Sequence, residues 1–219
     1  MAASTAQGIQ VDGSHRAPGT GLGKFFKRAL DVLGSALLLL LFLPVIALVA
    51  LLIKLQDGGP VIYRRRVVGP KGEFDAFKLR SMRVDADEVL KRNPEMRREF
   101  ELNFKLKSDP RVTSIGRFTR KLSLDELPQL LNVLKGEMSL VGPRMITPAE
   151  LEKFGEARWI FDCVKPGLTG YWQVYGRQQV SYAERVEMDL FYVRNWSLWL
   201  DWKILLRTPI RVVRGEGAY

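Results

Sequence analysis

The chain has 219 residues, enough for one domain with a sizeable hydrophobic core. Its formal net charge of +10 indicates an anionic partner, a requirement that nucleic acid, acidic lipid and phosphorylated small molecules all meet. The single cysteine, Cys163, excludes an internal disulfide, and the single histidine, His15, excludes Ser-His-Asp catalysis and a His-ligated zinc.

The N-terminal part of the chain contains a membrane segment. Residues 1–23 have no apolar periodicity and predict a disordered leader. The run from Val32 to Ile53 is uncharged, and as a helix it would be roughly 33 Å long, about one hydrocarbon core. Cations flank both ends, and Pro44 in the middle kinks or breaks a helix. Two topologies fit the segment 24–56: a re-entrant helix returning to the same face, and an ordinary span with a proline kink.

Residues 57–219 predict a compact, helix-rich α/β body that lies on one membrane leaflet. In chain order, the predicted elements are strands at 61–63 and 74–78 around the turn 69–72, then helices at 84–107 (interrupted at Pro94), 127–134 and 149–161.

The C-terminal region is rich in tryptophan. Trp196, Trp199 and Trp202 lie among aliphatic residues and cations, a composition typical of an interfacial helix on an anionic membrane surface. A buried amphipathic helix with the tryptophans in the core fits the same pattern equally well, so both interpretations stay open.

Asp125 and Glu126 are adjacent carboxylates inside a basic segment. Ser123 and Glu126 match a capping box, and Pro128 suits a first turn, so one interpretation is a helix that begins near Asp125, with Asp125 as its N-cap. For the short motif alone this interpretation is the stronger one. It leaves unexplained the surrounding cations, which together with a helix N-terminus would attract phosphate: Arg117, Arg120, Lys121 and Arg144.

Such a pair can perform phosphoryl transfer. A carboxylate can attack a phosphate and form an acyl phosphate, and a neighbouring carboxylate is a natural ligand for Mg²⁺. Because neighbouring helical residues point about 100° apart, Asp125 and Glu126 can serve different partners.

From Lys24 to Tyr219 the chain resembles bacterial sugar transferases of the monotopic phosphoglycosyl transferase superfamily. Each motif is weak alone, but their order is specific. The residues that carry the resemblance are the segment 27–31, the Pro44 apolar run, and the segments 77–82, 109–117, 124–129, 136–144, 165–170, 175–177 and 189–193.

The resemblance implies an enzyme at the cytoplasmic face of the bacterial inner membrane that transfers a sugar-1-phosphate from a nucleotide-diphosphate sugar, expected to be a UDP-hexose, to polyprenyl (undecaprenyl) phosphate, the first membrane step of polysaccharide assembly. It implies Asp125 as the nucleophile of a two-step reaction, Glu126 as its partner at Mg²⁺, and the re-entrant topology. The further site residues that it implies are Lys78, Arg80, Arg120, Arg144 and Arg177 at the phosphates or substrate, and Asp189 and Asp201 as supporting acids or structural ion pairs.

The chain departs from the family pattern at two points. Met145 stands where the family usually has proline, and the several N-terminal membrane spans of larger relatives are not in this sequence, so we expect a minimal catalytic unit or a fragment of a longer protein. The ending 215–219 and the tryptophan-rich segment resemble the exopolysaccharide-initiating branch, which suggests glucose or galactose as the sugar.

Three other functions fit only parts of the sequence. A non-enzymatic, membrane-anchored scaffold for anionic lipid needs the cations and the apolar run, but it does not need Asp125 and Glu126. A glycosidase needs carboxylates roughly 5–9 Å apart across a bond, which adjacent residues at a helix start serve poorly. No recognised motif for nucleic-acid binding accompanies the charge, and no feature specifies an oligomeric state.

Overall fold

The computed structural model describes residues 21–103, 106, 109–176 and 180–214. This part of the chain is rich in helix and has two small sheets. The helices are α1 (Gly21–Asp57), α2 (Ala86–Arg92), α3 (Pro94–Asn103), α4 (Ser114–Lys121), α5 (Gln129–Lys135), α6 (Pro148–Leu151), α7 (Ile160–Cys163), α8 (Tyr171–Tyr175), α9 (Tyr182–Arg194) and α10 (Leu198–Arg214). The strands are β1 (Ile62–Gly69), β2 (Gly72–Leu79), β3 (Ser139–Val141) and β4 (Gly167–Thr169).

Helix α1 contains the predicted membrane segment and is long and apolar enough to cross a membrane by length and composition. It continues through Pro44, so the helix is not broken there, and the kink that is the other predicted effect of Pro44 stays a prediction. A proline removes only one backbone donor, and apolar helices of this length absorb that loss by small local adjustments. Leu40, Leu41 and Leu43 around the proline are exposed.

The two predicted strands are confirmed as an antiparallel hairpin, and both are longer than predicted. Their register pairs Ile62 with Leu79 and Gly69 with Gly72. Gly72 has a φ of +96°, a conformation that favours glycine and that closes the turn. The inner face of the hairpin packs on the main core through Val67 and Ala76.

The other predicted helices are confirmed with shifted bounds. Pro94 is the first residue of α3, where proline is best tolerated, so it separates α2 from α3 as predicted. The predicted helix 127–134 is α5. The predicted helix 149–161 is divided into α6, a 3-10 segment at Glu152–Trp159 and α7, because Gly155 has a φ of +49°.

A short parallel pair, β3 and β4, fixes the backbone before and at Arg144. Gly142 and Gly167 approach so closely that a side chain on either would collide with the other's backbone. Arg144 itself forms a bridge with Gly167, and Met145 is buried in the main core. The methionine therefore anchors the segment after Arg144 by packing, where the family pattern has a proline.

The N-terminal end of α1 is bound to the rest of the protein by charged side chains. The ammonium group of Lys27 donates to Asp201 at 2.7 Å. The guanidinium group of Arg28 donates to the Val133 carbonyl at 2.6 Å and to the Leu134 carbonyl at 2.8 Å, the last turn of α5. These cations, which the sequence pattern presented as membrane flanks, hold α1 against α5 and α10.

The C-terminal end of α1 is bound to the same body. Asp57 forms a bidentate ion pair with Arg80, at the end of β2. Val49 and Ile53 pack against Leu79 in a small second core. Both ends of the apolar helix therefore contact one body, and in its middle Leu38 and Leu39 pack on the main core while the opposite face is exposed.

Helix α10 buries Asp201 and Ile204 and turns two tryptophans outward. Asp201 and Ile204 are fully buried, whereas Trp199 and Trp202 are 66% and 47% exposed. The exposed stripe continues with Leu206, Ile210 and Val213. Of the three tryptophans in the predicted segment, only Trp196 packs on the core.

Candidate active site

Asp125 and Glu126 lie in a single 3-10 turn, Leu124–Glu126, between α4 and α5. The predicted capping box is not formed: Ser123 makes no side-chain capping bond, and the helix begins only at Gln129, after Pro128. Ser123 has a φ of +53°, which makes it the one non-glycine residue with positive φ in the described part of the chain. Strained backbone of this kind is held in place by the surrounding structure and is found at functional sites.

The Glu126 carboxylate accepts hydrogen bonds from two cations and does not cap a helix. Its Oε1 atom accepts from Lys78 Nζ at 2.7 Å and from Arg144 at 3.1 Å. Burial by itself would raise the pKa of Glu126, but Lys78 and Arg144 outweigh it and lower this pKa to about 2. Glu126 is therefore ionised at neutral pH.

The surroundings of Asp125 are different. Its side chain is buried, and none of the described residues donates a hydrogen bond to its carboxylate. Burial raises the pKa of Asp125, Lys78 opposes this, and the charge of Glu126 raises it further. Two adjacent carboxylates are thus differentiated by their surroundings: one is neutralised by cations, and the other is more basic and has free oxygen atoms.

Arg120 is brought to Asp125 by helix α4. Thr113 caps this helix by accepting from the Gly116 amide at 2.9 Å. Gly116 lies so close to the Ser81 backbone that a larger residue would displace α4. Arg120 donates to Ser81 Oγ at 2.8 Å, and its charge acts on Asp125. Burial lowers the pKa of Arg120, as expected for a cation held in a site with few partners.

Arg80 and Arg177 differ from the other predicted cations. The structure does not bring Arg80 to the carboxylate pair, because its guanidinium group is bound to Asp57 and its Nε donates to the Pro60 carbonyl at 2.7 Å. Arg80 therefore links α1 to β2. Arg177 lies outside the described residues.

The two predicted supporting acids also differ. Asp201 accepts from Lys27, from the Tyr192 hydroxyl at 2.8 Å and from the Trp196 indole at 3.2 Å, so it is a structural hub. Asp189 is fully buried behind Arg144, and burial raises its pKa to about 7, although Arg185 opposes this.

Two arginines near the site were missed in the sequence. Arg65 pairs with Glu150 at 3.1 Å. It belongs to the basic run 64–66 that follows the membrane segment, and side chains alternate along β1, which turns Arg65 inward between its exposed neighbours. Arg185 lies on α9 near Trp172, and no local motif marks it.

A metal ion could bind only with help from the substrate. No group of three or more acidic, cysteine or histidine side chains suited to a metal ion occurs among residues 21–103, 106, 109–176 and 180–214. Mg²⁺, however, is commonly held by one or two carboxylates together with substrate phosphates. Asp125 and the Oε2 atom of Glu126 accept no hydrogen bond from the described residues, so the pair fits this mode of binding.

Comparison with known proteins identifies relatives of this chain. The model of the family described as bacterial sugar transferase matches residues 22–215. The chain is 48% identical over 202 residues to undecaprenyl-phosphate galactose phosphotransferase of Salmonella typhimurium, covering 90% of this chain and 42% of the relative. It is 46% identical over 203 residues to exopolysaccharide production protein ExoY of Rhizobium meliloti, covering 90% of each.

A third relative has a related name. The chain is 39% identical over 222 residues to UDP-glucose:undecaprenyl-phosphate glucose-1-phosphate transferase of Escherichia coli, covering 97% of this chain and 45% of the relative. The chain therefore spans less than half the length of the Salmonella and Escherichia relatives and nearly the whole length of the Rhizobium one.

Proposed function

Because this chain belongs to the bacterial sugar transferase family, we propose that it transfers a sugar-1-phosphate from a UDP-hexose to undecaprenyl phosphate. Relatives at 39–48% identity bear the names of undecaprenyl-phosphate hexose phosphotransferases. The observation that carries the proposal is the differentiated pair, in which buried Asp125 has free carboxylate oxygens beside a Glu126 that Lys78 and Arg144 neutralise. This arrangement provides a nucleophile and an anion-binding frame in one place.

The proposed reaction has two displacements at one phosphorus atom. A carboxylate oxygen of Asp125 attacks the sugar-bearing phosphorus, and the bond from that phosphorus to the bridging oxygen breaks, so uridine monophosphate leaves with the bonding electrons. An anionic oxygen of undecaprenyl phosphate then attacks the same phosphorus. The acyl phosphate bond breaks, and the Asp125 carboxylate is regenerated.

The cations around Asp125 stabilise charge during both displacements. Arg120 retains guanidinium nitrogens beyond the Nε that binds Ser81, and Lys78 and Arg144 can exchange their bond to Glu126 for bonds to phosphate oxygens. Asp125 and Glu126 would hold Mg²⁺ together with the donor phosphates, where the ion neutralises phosphate charge.

Loss of the nucleophile tests this reaction. Asp125→Ala should reduce uridine monophosphate release from a UDP-hexose by at least about 10³-fold. Asp162→Ala, which removes an exposed acid on α7, is the matched control and should retain activity. A panel of UDP-sugars with undecaprenyl phosphate present would identify the sugar. If the Asp125→Ala protein still releases uridine monophosphate, Asp125 is not the nucleophile.

We further propose that α1 is re-entrant and that the body lies on the cytoplasmic face of the inner membrane. The support is that Lys27 and Arg28 at one end of α1 and Asp57 at the other bind the same body. For a body on one side of a bilayer to bind both ends, the apolar middle must enter the bilayer and return, so α1 must bend, and Pro44 in its middle is where we expect the bend. The exposed Leu40 and Leu41 near Pro44 suit the deepest part of such an insertion.

The outward stripe of α10 is proposed to lie in the membrane interface. Trp199 and Trp202 project outward beside Lys203, which lies 5.4 Å from the Trp199 ring, a combination suited to anionic lipid head groups. Arg207 and Arg214 extend this basic edge.

Cysteine accessibility tests the topology. In a Cys163→Ser background, Thr20→Cys and Gln56→Cys should both react with a membrane-impermeant thiol reagent only from the cytoplasmic side of oriented vesicles. Labelling of the two positions from opposite sides would establish an ordinary span and overturn the re-entrant proposal.

A non-enzymatic lipid scaffold is the second candidate, supported by the exposed stripe of α10 and the cations at both ends of α1. It makes no use of the carboxylate pair. The scaffold function would be favoured if Asp125→Ala left every cellular function unchanged while substitution of the cations abolished it.

A further inference from the structure

Unsatisfied buried polar atoms are concentrated behind the active site. Seven buried side-chain nitrogen or oxygen atoms of the described residues lack a hydrogen bond, and five of them belong to α8 and α9. They are Trp172 Nε1, Gln173 Oε1, Arg185 Nε and both carboxylate oxygens of Asp189. Trp172 Nε1 and Arg185 Nε are donors, and a buried donor without an acceptor destabilises the folded protein. Because these two side chains lie together, they indicate a position for an acceptor such as an anion.

Arg185 is the cation of this cluster. Its guanidinium carbon lies 5.1 Å from the centre of the Trp172 ring and 5.2 Å from that of Tyr182. No carboxylate among the described residues forms an ion pair with it, and Asp189, one turn later on α9, acts on it only through space. Burial and the charge of Arg144 both lower the pKa of Arg185. A largely buried guanidinium without an ion pair is costly and is stabilised by an added anion.

Trp172 connects Arg185 to the reaction centre. The guanidinium carbon of Arg144 lies 6.0 Å from the same indole ring, and Arg144 donates to Glu126. One arginine side chain therefore separates Arg185 from the carboxylate pair. Lys78 and Arg120 act on Asp125, Arg185 lies at Trp172, and Arg144 belongs to both sets, so the cations extend from the nucleophile to Trp172.

We propose that Arg185, together with Arg144 at Trp172, binds the phosphate that leaves with the nucleoside. This inference rests on the proposed function. The donor carries two phosphates joined by one oxygen; if Asp125 attacks the first, an in-line displacement puts the second on the side away from Asp125. Charge develops on that second phosphate as the bond breaks, and Arg185 is the cation with unfilled donors on that side. Asp189 is a positioning residue, since it is buried and lies beside both Arg185 and the backbone of Arg144.

The proposal predicts an effect on one half of the reaction. Uridine monophosphate is present in the first displacement and absent from the second. Arg185→Ala should therefore weaken binding of uridine monophosphate and slow its release from the donor by about tenfold to a hundredfold, the value of one charge-assisted hydrogen bond. Transfer of the phosphosugar from the covalent intermediate to undecaprenyl phosphate should stay within about twofold of the unmodified enzyme.

The experiment uses the full chain in lipid nanoparticles. Equilibrium binding of uridine monophosphate and of inorganic phosphate is measured for the unmodified protein, Arg185→Ala, Arg185→Lys and the control Arg194→Ala, which removes an exposed arginine from the same helix. Arg185→Lys keeps a positive charge and should bind more tightly than Arg185→Ala. Arg194→Ala should match the unmodified protein.

Several outcomes would overturn the inference. Unchanged binding in Arg185→Ala would remove the phosphate role, and an equal slowing of both displacements would show a general structural effect. If Arg185→Ala does not fold, Arg185→Lys decides alone: unaltered affinity for uridine monophosphate and an unaltered Michaelis constant for the donor would contradict the proposal. Failure of the unmodified protein to release uridine monophosphate would instead contradict the proposed function.

Discussion

Two buried carboxylates of this protein, Asp125 and Asp201, differ in how completely their charge is satisfied. Asp201 accepts hydrogen bonds from Lys27, Tyr192 and Trp196. Asp125 accepts none from the described residues, although it too is buried. The cations near Asp125 are bound to Glu126 or, in the case of Arg120, only partly used.

The difference separates a structural ion pair from a reactive group. A full set of hydrogen-bond donors compensates the free energy of removing a carboxylate from water. A buried carboxylate without donors remains destabilising until a substrate binds. Sequence patterns presented both aspartates as acids in a basic protein. Only their partners distinguish the residue that holds α1 in place from the residue that we propose as the nucleophile.

The largest effect is expected from substitution of Asp125, the unsatisfied carboxylate. Asp125→Asn should abolish turnover, by at least about 10³-fold, and raise the free energy of unfolding by about 1 kcal/mol, because it removes a buried charge without donors next to Glu126. Both quantities are measured on one preparation, by product release and by denaturant unfolding with chelator present. A destabilised Asp125→Asn protein would contradict the assignment of Asp125 as an unsatisfied group.

The opposite result is expected at Asp201. Asp201→Asn leaves Lys27 without its carboxylate and should lower the free energy of unfolding by about 3 kcal/mol, while the folded fraction stays active. Denaturant unfolding measures the loss, and the double variant Lys27→Met with Asp201→Asn should recover part of it. Lost activity at unchanged stability would show that Asp201 belongs to the reaction and not to the structural network.

Asp189 is a third buried carboxylate, intermediate between Asp125 and Asp201, and its effect on stability should depend on pH. Its pKa is raised from 3.8 to about 7, so the folded protein holds this proton more tightly than the unfolded chain does. The resulting stability is complete below pH 3.8 and is lost as the pH rises through 7. Between pH 5 and pH 8 the protein should therefore lose about 2 kcal/mol relative to Asp189→Asn. Unfolding curves at the two pH values measure this, and parallel pH dependence in the two proteins would contradict it.

Local chain chemistry made much of the fold predictable. The hairpin β1–β2 and the boundary between α2 and α3 at Pro94 follow from turn residues and from proline's fixed φ, which act without distant partners. The predicted capping box did not form because partners distant in the chain compete for the glutamate. Ser123 and Glu126 have the right spacing, but Lys78 and Arg144 bind the glutamate more strongly than a backbone amide would.

The candidate site was predictable in its acids and only partly in its cations. The motif around Asp125 and Glu126, in its order with other motifs, pointed to the pair. Arg80 was expected at the phosphates but is bound by Asp57, and Arg185 was not expected at all. Arginine side chains are long and flexible, so their neighbours in sequence say little about which acid they reach.

The sequence by itself therefore determined the apolar segment, the hairpin and the carboxylate pair, because these depend on hydrophobic runs, on turn residues and on adjacency in the chain. The tertiary structure decided which charges meet: Lys78 and Arg144 with Glu126, and Lys27 with Asp201. It gives Arg185 no acidic ion-pair partner within the described part of the chain. These pairs join segments far apart in the chain, and Coulomb attraction depends on distance and burial in the folded protein, not on separation in sequence.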